Sequence, residues 1–292
     1  MKHTLKEWIV ATRPWSFTAS ASPVIIILAW LYGNDQPVNW FMGLWTLFTV
    51  IIVHAAGNVW SDYFDYKKKV DADDTFGAKF LTSGQFQPSE TLRLSIVLNI
   101  VAILSGIGIW ITTGIISLWL GITGVALSLL YPYLKYHALG DVVIFLCYTL
   151  LPALATTYIV TGQLIWGSLI PTVASGLITI AILHANNTRD IQTDHRAGIY
   201  TLPILTGIRT SVAIYLAEII LPYAWVIGLC ACRLMHPWTL LVILSLPLAI
   251  NNLRKVTLTY TERATLPPDG DTSTAQLQMV FSVLLTAGLA LA

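Results

Sequence analysis

Two short stretches of this sequence carry oxygen-bearing side chains at spacings that could bind a cation. In the first, HAAGNVWSDYFDYKKKVDADD at residues 54–74, Asn58, Asp62 and Asp65 stand at i, i+4 and i+7. A helix places that spacing on one face. Carboxylates held so close together resist ionising unless water or a cation surrounds them. Three further carboxylates follow within the stretch: Asp71, Asp73 and Asp74.

The second stretch, HANNTRDIQTDHRAG at residues 184–198, repeats the pattern, with Asn187, Asp190 and Asp194 at i, i+3 and i+7. Each motif ends an apolar run, where the partial negative charge of a helix C-terminus disfavours a carboxylate by about 0.3–1 kcal/mol. Oxygen ligands of this kind suit Mg²⁺, which takes one or two carboxylates together with substrate phosphates. Two solvated acidic loops would explain either motif alone, but the matching spacing favours a shared Mg²⁺ site.

Basic side chains are interleaved with both motifs. They could clamp the diphosphate oxygens that a metal does not reach. The positive-inside bias and the attraction of lysine to lipid headgroups explain most of the lysines equally well, so both interpretations stay open. The residues concerned are Lys67, Lys68, Lys69, Lys79, Arg189 and Arg196.

A third candidate element is the segment Tyr131-Pro132-Tyr133-Leu134-Lys135. Tyr131 and Lys135 share a face at i, i+4 if a helix persists through Pro132. A tyrosine beside a lysine at a membrane interface is also ordinary anchoring. Spacing alone therefore leaves catalysis and anchoring open for this pair.

The elements that must position these residues are membrane helices. The chain has 292 residues, of which 55% are hydrophobic and 11% charged. Several apolar runs approach the ~20 residues that span a bilayer, and they have no polar face. We therefore predict an all-α, multi-pass bundle of about nine transmembrane helices. The predicted spans are 15–33, 39–60, 91–112, 114–131, 139–162, 166–186, 208–232, 236–253 and 276–292.

The distribution of charge supports this span count and predicts an orientation. With a cytoplasmic N-terminus, every one of the 16 basic residues except Arg233 falls in a cytoplasmic segment. This is the pattern that the positive-inside rule requires. Both aspartate motifs then lie on the cytoplasmic side, and the bilayer is a partner. The net charge of +1 gives no reason to expect a nucleic-acid partner.

Other features are less specific. The cysteines Cys147, Cys230 and Cys232 suit neither a disulfide framework nor a zinc site. The N-terminal apolar run has no cleavage site where a signal peptide would need one, so we interpret it as the first span. Prolines within spans could kink helices around a cavity or reflect ordinary membrane usage; they are Pro152, Pro171, Pro222 and Pro247.

These motifs resemble the UbiA superfamily of membrane prenyltransferases, and the resemblance covers most of the chain. The two Asn–Asp–Asp groups are similar to the two Asp-rich motifs of that family, and Tyr131-x-x-x-Lys135 to its Tyr-x-x-x-Lys element. Arg13-Pro14 before the first span also fits. The stretches NNTRDIQTDHRAGIYTLPILTG and LKYHALGDVVIFL are most similar to the menaquinone branch. The chain departs from that branch at Cys147-Tyr148, where small residues are common, and this difference concerns the acceptor pocket.

The resemblance implies one prenyltransferase domain over residues 1–292, with nine helices around a central cavity. It implies Mg²⁺ as cofactor, a polyprenyl diphosphate donor and an aromatic acceptor, 1,4-dihydroxy-2-naphthoate in the menaquinone branch. Another aromatic or lipid prenyltransferase of the same superfamily is the alternative within this class. It further implies that Lys135 and Tyr131 face the reacting centre. The implied metal ligands are Asp62, Asp65, Asp190 and Asp194, and the implied substrate contacts are Asn58, Asn187, Lys68, Lys79, Arg13 and Arg189. The cell inner membrane is the expected location.

Two rival classes remain at this point. A secondary transporter would also carry intramembrane acids and broken helices, and Glu218 within a span is such an acid. The aspartates nevertheless cluster at the rim rather than at the midplane, which favours an enzyme. A CDP-alcohol phosphotransferase would also use Asp and Mg²⁺, but its Asp-Gly-rich signature is missing from the sequence.

Overall fold

A computed structural model describes residues 3–72, 75–76, 79–263 and 265–292. Regular structure in these ranges is helical, apart from one isolated bridge between His137 and Tyr200. The all-α prediction is therefore confirmed. The α-helices are α1 (Leu5–Ala11), α2 (Phe17–Gly33), α3 (Trp40–Lys67), α4 (Lys79–Thr82), α5 (Pro88–Thr113), α6 (Ile115–Lys135), α7 (Gly140–Phe145), α8 (Leu151–Thr161), α9 (Leu169–Arg189), α10 (Ile191–Arg196), α11 (Leu202–Thr206), α12 (Ile208–Ala231), α13 (Leu246–Arg263) and α14 (Gly270–Ala290).

Short helices of other types complete several spans. Three 3₁₀-helices, Pro14–Ser16, Trp166–Ser168 and Pro237–Ser245, precede α2, α9 and α13, and a π-helical turn, Leu146–Leu150, joins α7 to α8. Within the described residues, nine segments are long and apolar enough to cross a bilayer. They match the nine intervals predicted from hydropathy, and the protein is an integral membrane protein. The first-motif helix α3 extends to Lys67, past the predicted end at residue 60.

Helices pack closely where a glycine replaces a side chain. A Cβ on Gly288 of α14 would lie 2.4 Å from the carbonyl oxygen of Trp238, and one on Gly43 would lie 2.7 Å from Leu28. Lipid chains are as apolar as the helix faces, so association depends on such close packing and on buried hydrogen bonds. Gly114, at φ 100°, is the single residue between α5 and α6. Other residues rarely adopt that conformation, so glycine permits this tight reversal.

A buried polar cluster joins three helices of the bundle. The amide of Gln278 on α14 donates to Ser22 on α2 and to Ser175 on α9, at 3.1 and 3.3 Å. Apolar side chains surround this cluster, with Ile178, Tyr215 and Phe281 fully buried between α9, α12 and α14. This part of the bundle fixes the position of the second-motif helix, α9.

Candidate active site

A cavity of about 1510 Å³ is enclosed mainly by α2, α3, α5, α6, α8, α9 and α14. It exceeds the ~300–1,000 Å³ typical of sites for drug-sized ligands. Side chains such as Ile107, Val125 and Ala155 give most of the wall an apolar character. The charged and amide side chains on the wall are Arg13, Asn58, Asp65, Asp71, Lys79, Gln85, Lys135, Asn186, Asn187, Asp190, Asp194, Asp271 and Gln276. We call the end of the cavity that holds the two Asp motifs the polar end.

Asp65 accepts more side-chain hydrogen bonds than the other carboxylate of the first motif, Asp62. Lys135 donates to its Oδ2 at 3.1 Å, and the hydroxyl of Tyr136 donates to its Oδ1 at 2.7 Å. Ser61, one turn earlier on α3, also donates at 3.3 Å. Charge-assisted hydrogen bonds of this kind are roughly twice as strong as neutral ones, so the carboxylate has a fixed orientation.

The other two members of the first motif have different surroundings. Asn58 lines the cavity, and its amide donates to the carbonyl of Thr12 and the hydroxyl of Ser16, both at 3.0 Å. Asp62 is fully buried beside the guanidinium of Arg13 and does not line the cavity. The structure therefore brings Asn58 and Asp65 to the cavity but leaves Asp62 behind its wall.

The second motif spans a helix break. The helix α9 ends at Arg189, Asp190 adopts φ −94° and ψ 11°, and Asp194 belongs to the short helix α10. Asn187, Asp190 and Asp194 nevertheless all line the cavity. The side-chain oxygen of Asn187 is buried and has no hydrogen-bond partner among the described residues. Such an oxygen is costly to bury unless a ligand satisfies it.

Arg189 connects the second motif to α14. Its guanidinium donates to both oxygens of Asp190 at 2.8 Å and lies 3.2 Å from Asp271. It lies 4.4 Å from the ring centroid of Phe76, and it does not line the cavity. Arg189 thus orients Asp190 and Asp271 from behind the wall rather than presenting its own charge to the cavity.

The predicted lysines divide between two places. Lys79 lines the cavity, and its ammonium donates to the backbone carbonyl of Ala72 at 2.9 Å. Lys68 lies outside the cavity wall, 5.4 Å from the ring centroid of Tyr136, and borders a separate small pocket with Arg196. Asp71 lines the cavity, whereas Asp73 and Asp74 fall outside the described residues.

Tyr131 and Lys135 both line the cavity from α6, which continues through Pro132 as their spacing requires. Two further residues of the site are missing from the sequence prediction. Tyr136 follows Lys135 directly in the chain, and this adjacency to a predicted site residue could have identified it from the sequence. Asp271 lies in the first turn of α14, in a segment interpreted as loop, so no motif pointed to it.

Burial changes the acidity of carboxyl groups at the polar end. It raises the pKa of Asp194 to about 7, with a further contribution from the charge of Asp190. It raises the pKa of Asp71 to about 6, and nearby Asp65 adds to the effect. A bound cation would favour the ionised forms of both groups.

The donor set fits Mg²⁺ only together with a further ligand. Across the ranges that the structure describes, no three His, Cys, Asp or Glu side chains converge closely enough to hold a metal ion. The oxygens that the two motifs present to the cavity belong to carboxylates and amides, and the amide oxygen of Asn187 is unsatisfied. Mg²⁺ typically takes one or two protein carboxylates and fills its other positions with water and substrate phosphate. The residues present therefore suit a metal–diphosphate complex better than a closed protein cage.

The structure is a helical membrane bundle in which two carboxylate motifs border a largely apolar cavity, the class of an integral membrane protein with a charged site beside an apolar chamber. The sequence profile of the UbiA prenyltransferase family matches residues 21–266. The chain belongs to this family and is a prenyltransferase. The transporter and phosphotransferase alternatives thereby lose their support.

Two relatives resemble most of the chain. UbiA prenyltransferase domain-containing protein 1 of Gallus gallus is 32% identical over 84% of this chain and 74% of its own length. The 1,4-dihydroxy-2-naphthoate octaprenyltransferase of Bacillus subtilis is 28% identical over 95% of this chain and 90% of its own.

Solved structures share the fold. A UbiA homolog from Aeropyrum pernix superposes with a TM-score of 0.68 at 16% identity, covering 94% of this chain and 96% of its own. A UbiA homolog from Archaeoglobus fulgidus, bound to GPP and Mg²⁺, gives a TM-score of 0.65 at 13% identity over 97% and 99% of the two chains.

Proposed function

We propose that this protein transfers a polyprenyl group from an allylic diphosphate to 1,4-dihydroxy-2-naphthoate, in a Mg²⁺-dependent step of menaquinone biosynthesis. The observation that carries the proposal is the cavity itself. Asp65 from α3, Asp190 from the break after α9 and Asp194 from α10 lie with Lys135 at its polar end, and most of the remaining wall is apolar. A polyprenyl diphosphate has a charged headgroup and a hydrocarbon tail, which match the polar end and the apolar wall of the cavity.

In this proposal, Asp65 from the first motif and Asp190 and Asp194 from the second would ligate Mg²⁺ bound to the diphosphate, with one or two of these carboxylates on any one ion. The amide oxygen of Asn187 would serve as a neutral ligand or hydrogen-bond acceptor. Asn58 supports the first motif. Mg²⁺ supplies charge neutralisation for the departing diphosphate. Asp62, behind the wall, acts on the site through Arg13 rather than as a direct ligand.

The cationic side chains on the wall bind the diphosphate directly, whereas the carboxylates bind it through the metal. Lys135, Lys79 and Arg13 donate to diphosphate oxygens as negative charge develops on them. Asp65 keeps Lys135 in place, and Arg189 keeps Asp190 oriented from behind. Lys68, outside the wall, attracts the diphosphate electrostatically rather than contacting it. The apolar wall excludes water from the allylic carbon, and Tyr131 faces the reacting centre.

The comparisons support the donor, the metal and the acceptor class. The Archaeoglobus fulgidus homologs were captured with GPP or DMAPP and Mg²⁺. The Bacillus subtilis relative is named for 1,4-dihydroxy-2-naphthoate and an octaprenyl group. We place the enzyme in the cell inner membrane, as one domain over residues 1–292, with its N-terminus and both motifs cytoplasmic. This orientation follows the positive-inside distribution of basic residues.

The test uses membranes that contain the full chain. They receive 1,4-dihydroxy-2-naphthoate, a long polyprenyl diphosphate and Mg²⁺, and the prenylated product is detected by mass spectrometry. We expect product from the wild type and from Asp35→Asn, a control at an exposed turn. EDTA is expected to abolish it, and Asp65→Asn is expected to lower the rate of its formation by about 10²–10³-fold. If product formed only with 4-hydroxybenzoate or a lipid acceptor, the proposed prenyl transfer would stand, but 1,4-dihydroxy-2-naphthoate would be wrong as the acceptor. Absence of product with every acceptor from folded protein would overturn the proposal.

A further inference from the structure

The span that forms one side of the cavity contains a π-helical turn, Leu146–Leu150. The N–H of Leu151 donates to the carbonyl of Leu146, five residues earlier. Pro152 follows at once, and its ring would clash with the carbonyl of Tyr148 in a regular α-helix. Turns of this kind insert an extra residue into a helix and occur frequently at functional sites.

Packing against α9 fixes the turn from its outer side. Thr149 is fully buried, and a Cβ on Gly176 of α9 would lie 2.0 Å from its hydroxyl oxygen. Only glycine at position 176 lets the turn approach so closely. With Thr149 held against α9, the preceding residues Cys147 and Tyr148 line the cavity.

Tyr148 forms an aromatic wall with His54 of α3. Their ring centroids are 5.0 Å apart with an interplanar angle of 75°, an edge-to-face arrangement. Both nitrogens of His54 face serine hydroxyls, Ser20 at 2.9 Å and Ser16 at 3.4 Å. These contacts set the plane of the imidazole ring. The two rings therefore present a fixed aromatic surface to the cavity.

The hydroxyl of Tyr148 makes no hydrogen bond with any residue of the described ranges, and neither does that of Tyr131 on α6. Both tyrosines line the same cavity. A hydrocarbon tail cannot satisfy a phenol, which has one donor and acceptor lone pairs. A flat aromatic acceptor with oxygen substituents can do so, and its ring can pack against the aromatic wall.

We propose that the π-helical turn forms the acceptor subsite, in which Tyr148 packs against the acceptor ring and its hydroxyl binds an oxygen substituent of that ring. This inference rests on the proposed transfer to an aromatic acceptor. It adds a residue that determines acceptor binding and leaves the polar end of the cavity to the diphosphate.

The test compares Tyr148→Phe with wild type in the membrane assay, using 1,4-dihydroxy-2-naphthoate and a polyprenyl diphosphate. The substitution removes one oxygen and keeps the ring, so the bundle remains folded. We expect the KM for the acceptor to rise about two- to tenfold, the change that corresponds to one neutral hydrogen bond. The KM for the diphosphate is expected to stay unchanged. Tyr148→Leu, which also removes the ring, should raise the acceptor KM further.

Tyr133→Phe is the matched control, because Tyr133 is 62% exposed and lies outside the cavity wall. An unchanged acceptor KM in both Tyr148 variants, with wild-type turnover intact, would overturn the subsite and leave the proposed function standing. A rise in the KM for the diphosphate instead would place Tyr148 in the donor-binding part of the cavity, and this result would also overturn the acceptor subsite. A wild-type enzyme that prenylates no aromatic acceptor would overturn both proposals.

Discussion

The ammonium of Lys135 lies 3.1 Å from a carboxylate oxygen of Asp65. The two residues are 70 positions apart in the chain, and their contact joins the ends of α6 and α3 at the polar end of the cavity. Each side chain is nearly buried, at 11% and 7% exposure. Breaking a buried pair by removing one charge is costly because the other charge is left uncompensated.

Asp65→Asn is therefore expected to affect both catalysis and stability. Loss of a charged group that organises a transition-state site lowers turnover by about 10²–10³-fold in comparable cases. The thermal unfolding temperature of the purified protein should also fall, because Lys135 loses its counterion. Turnover and unfolding are measured on the same preparation, with Asp35→Asn as the control. Unchanged turnover in Asp65→Asn would contradict the assigned role.

Tyr136→Phe tests whether the hydrogen bond to Asp65 positions that carboxylate. Groups that orient a metal ligand typically contribute about 10–100-fold in metal affinity or activity. We expect the Mg²⁺ concentration for half-maximal activity to rise, while the KM for the acceptor stays constant. Tyr133→Phe, on the exposed side of the same segment, should behave as wild type. A purely structural role would instead lower the unfolding temperature without moving the Mg²⁺ dependence.

Arg189 and Asp271 should be energetically coupled through Asp190. Arg189→Lys keeps the charge but loses the planar fork that binds both oxygens of Asp190, so activity should fall. A double-mutant cycle with Arg189→Ala and Asp271→Ala should show a coupling of about 0.5–3 kcal/mol in kcat/KM. Strict additivity of the two substitutions would mean that the 3.2 Å contact does not support the site.

Arg13 and Asp62 form a pair whose stability and activity effects can be separated. Arg13→Met leaves Asp62 buried without its counterion, which should cost about 3–5 kcal/mol of unfolding free energy. Arg13→Met/Asp62→Leu replaces both charges by apolar groups and should recover most of that loss. The double variant should remain inactive. Recovery of activity together with stability would show that neither charge takes part in the reaction.

Gly176→Ala should disturb the π-helical turn. The added methyl group would meet the hydroxyl of Thr149, and overpacking of this kind costs about 1–3 kcal/mol. The unfolding temperature should fall, and Thr149→Ala in the same protein should restore part of it. Gly228→Ala is the control, because a Cβ there meets nothing within 4 Å. If Gly176→Ala and Gly228→Ala unfolded at the same temperature, the close approach of the turn to α9 would be contradicted.

The sequence by itself determined the membrane spans and the motif residues that could take part in chemistry, because both depend on the pattern of residues within one helix. A run of about 20 apolar residues needs no partner to be recognised as a membrane helix. The spacings of Asn58 to Asp65 and of Tyr131 to Lys135 identify single faces of single helices, and the structure keeps these residues on helices that line one cavity.

Tertiary structure decided which side chains reach the cavity. The sequence offered Asp62 and Asp65 as equals, but packing against Arg13 holds Asp62 behind the wall while Lys135 and Tyr136 hold Asp65 on it. Asp271 joins the second motif only because α14 packs beside α9. These relationships join residues that are far apart in the chain. No local spacing encodes them, because they follow from how the helices pack.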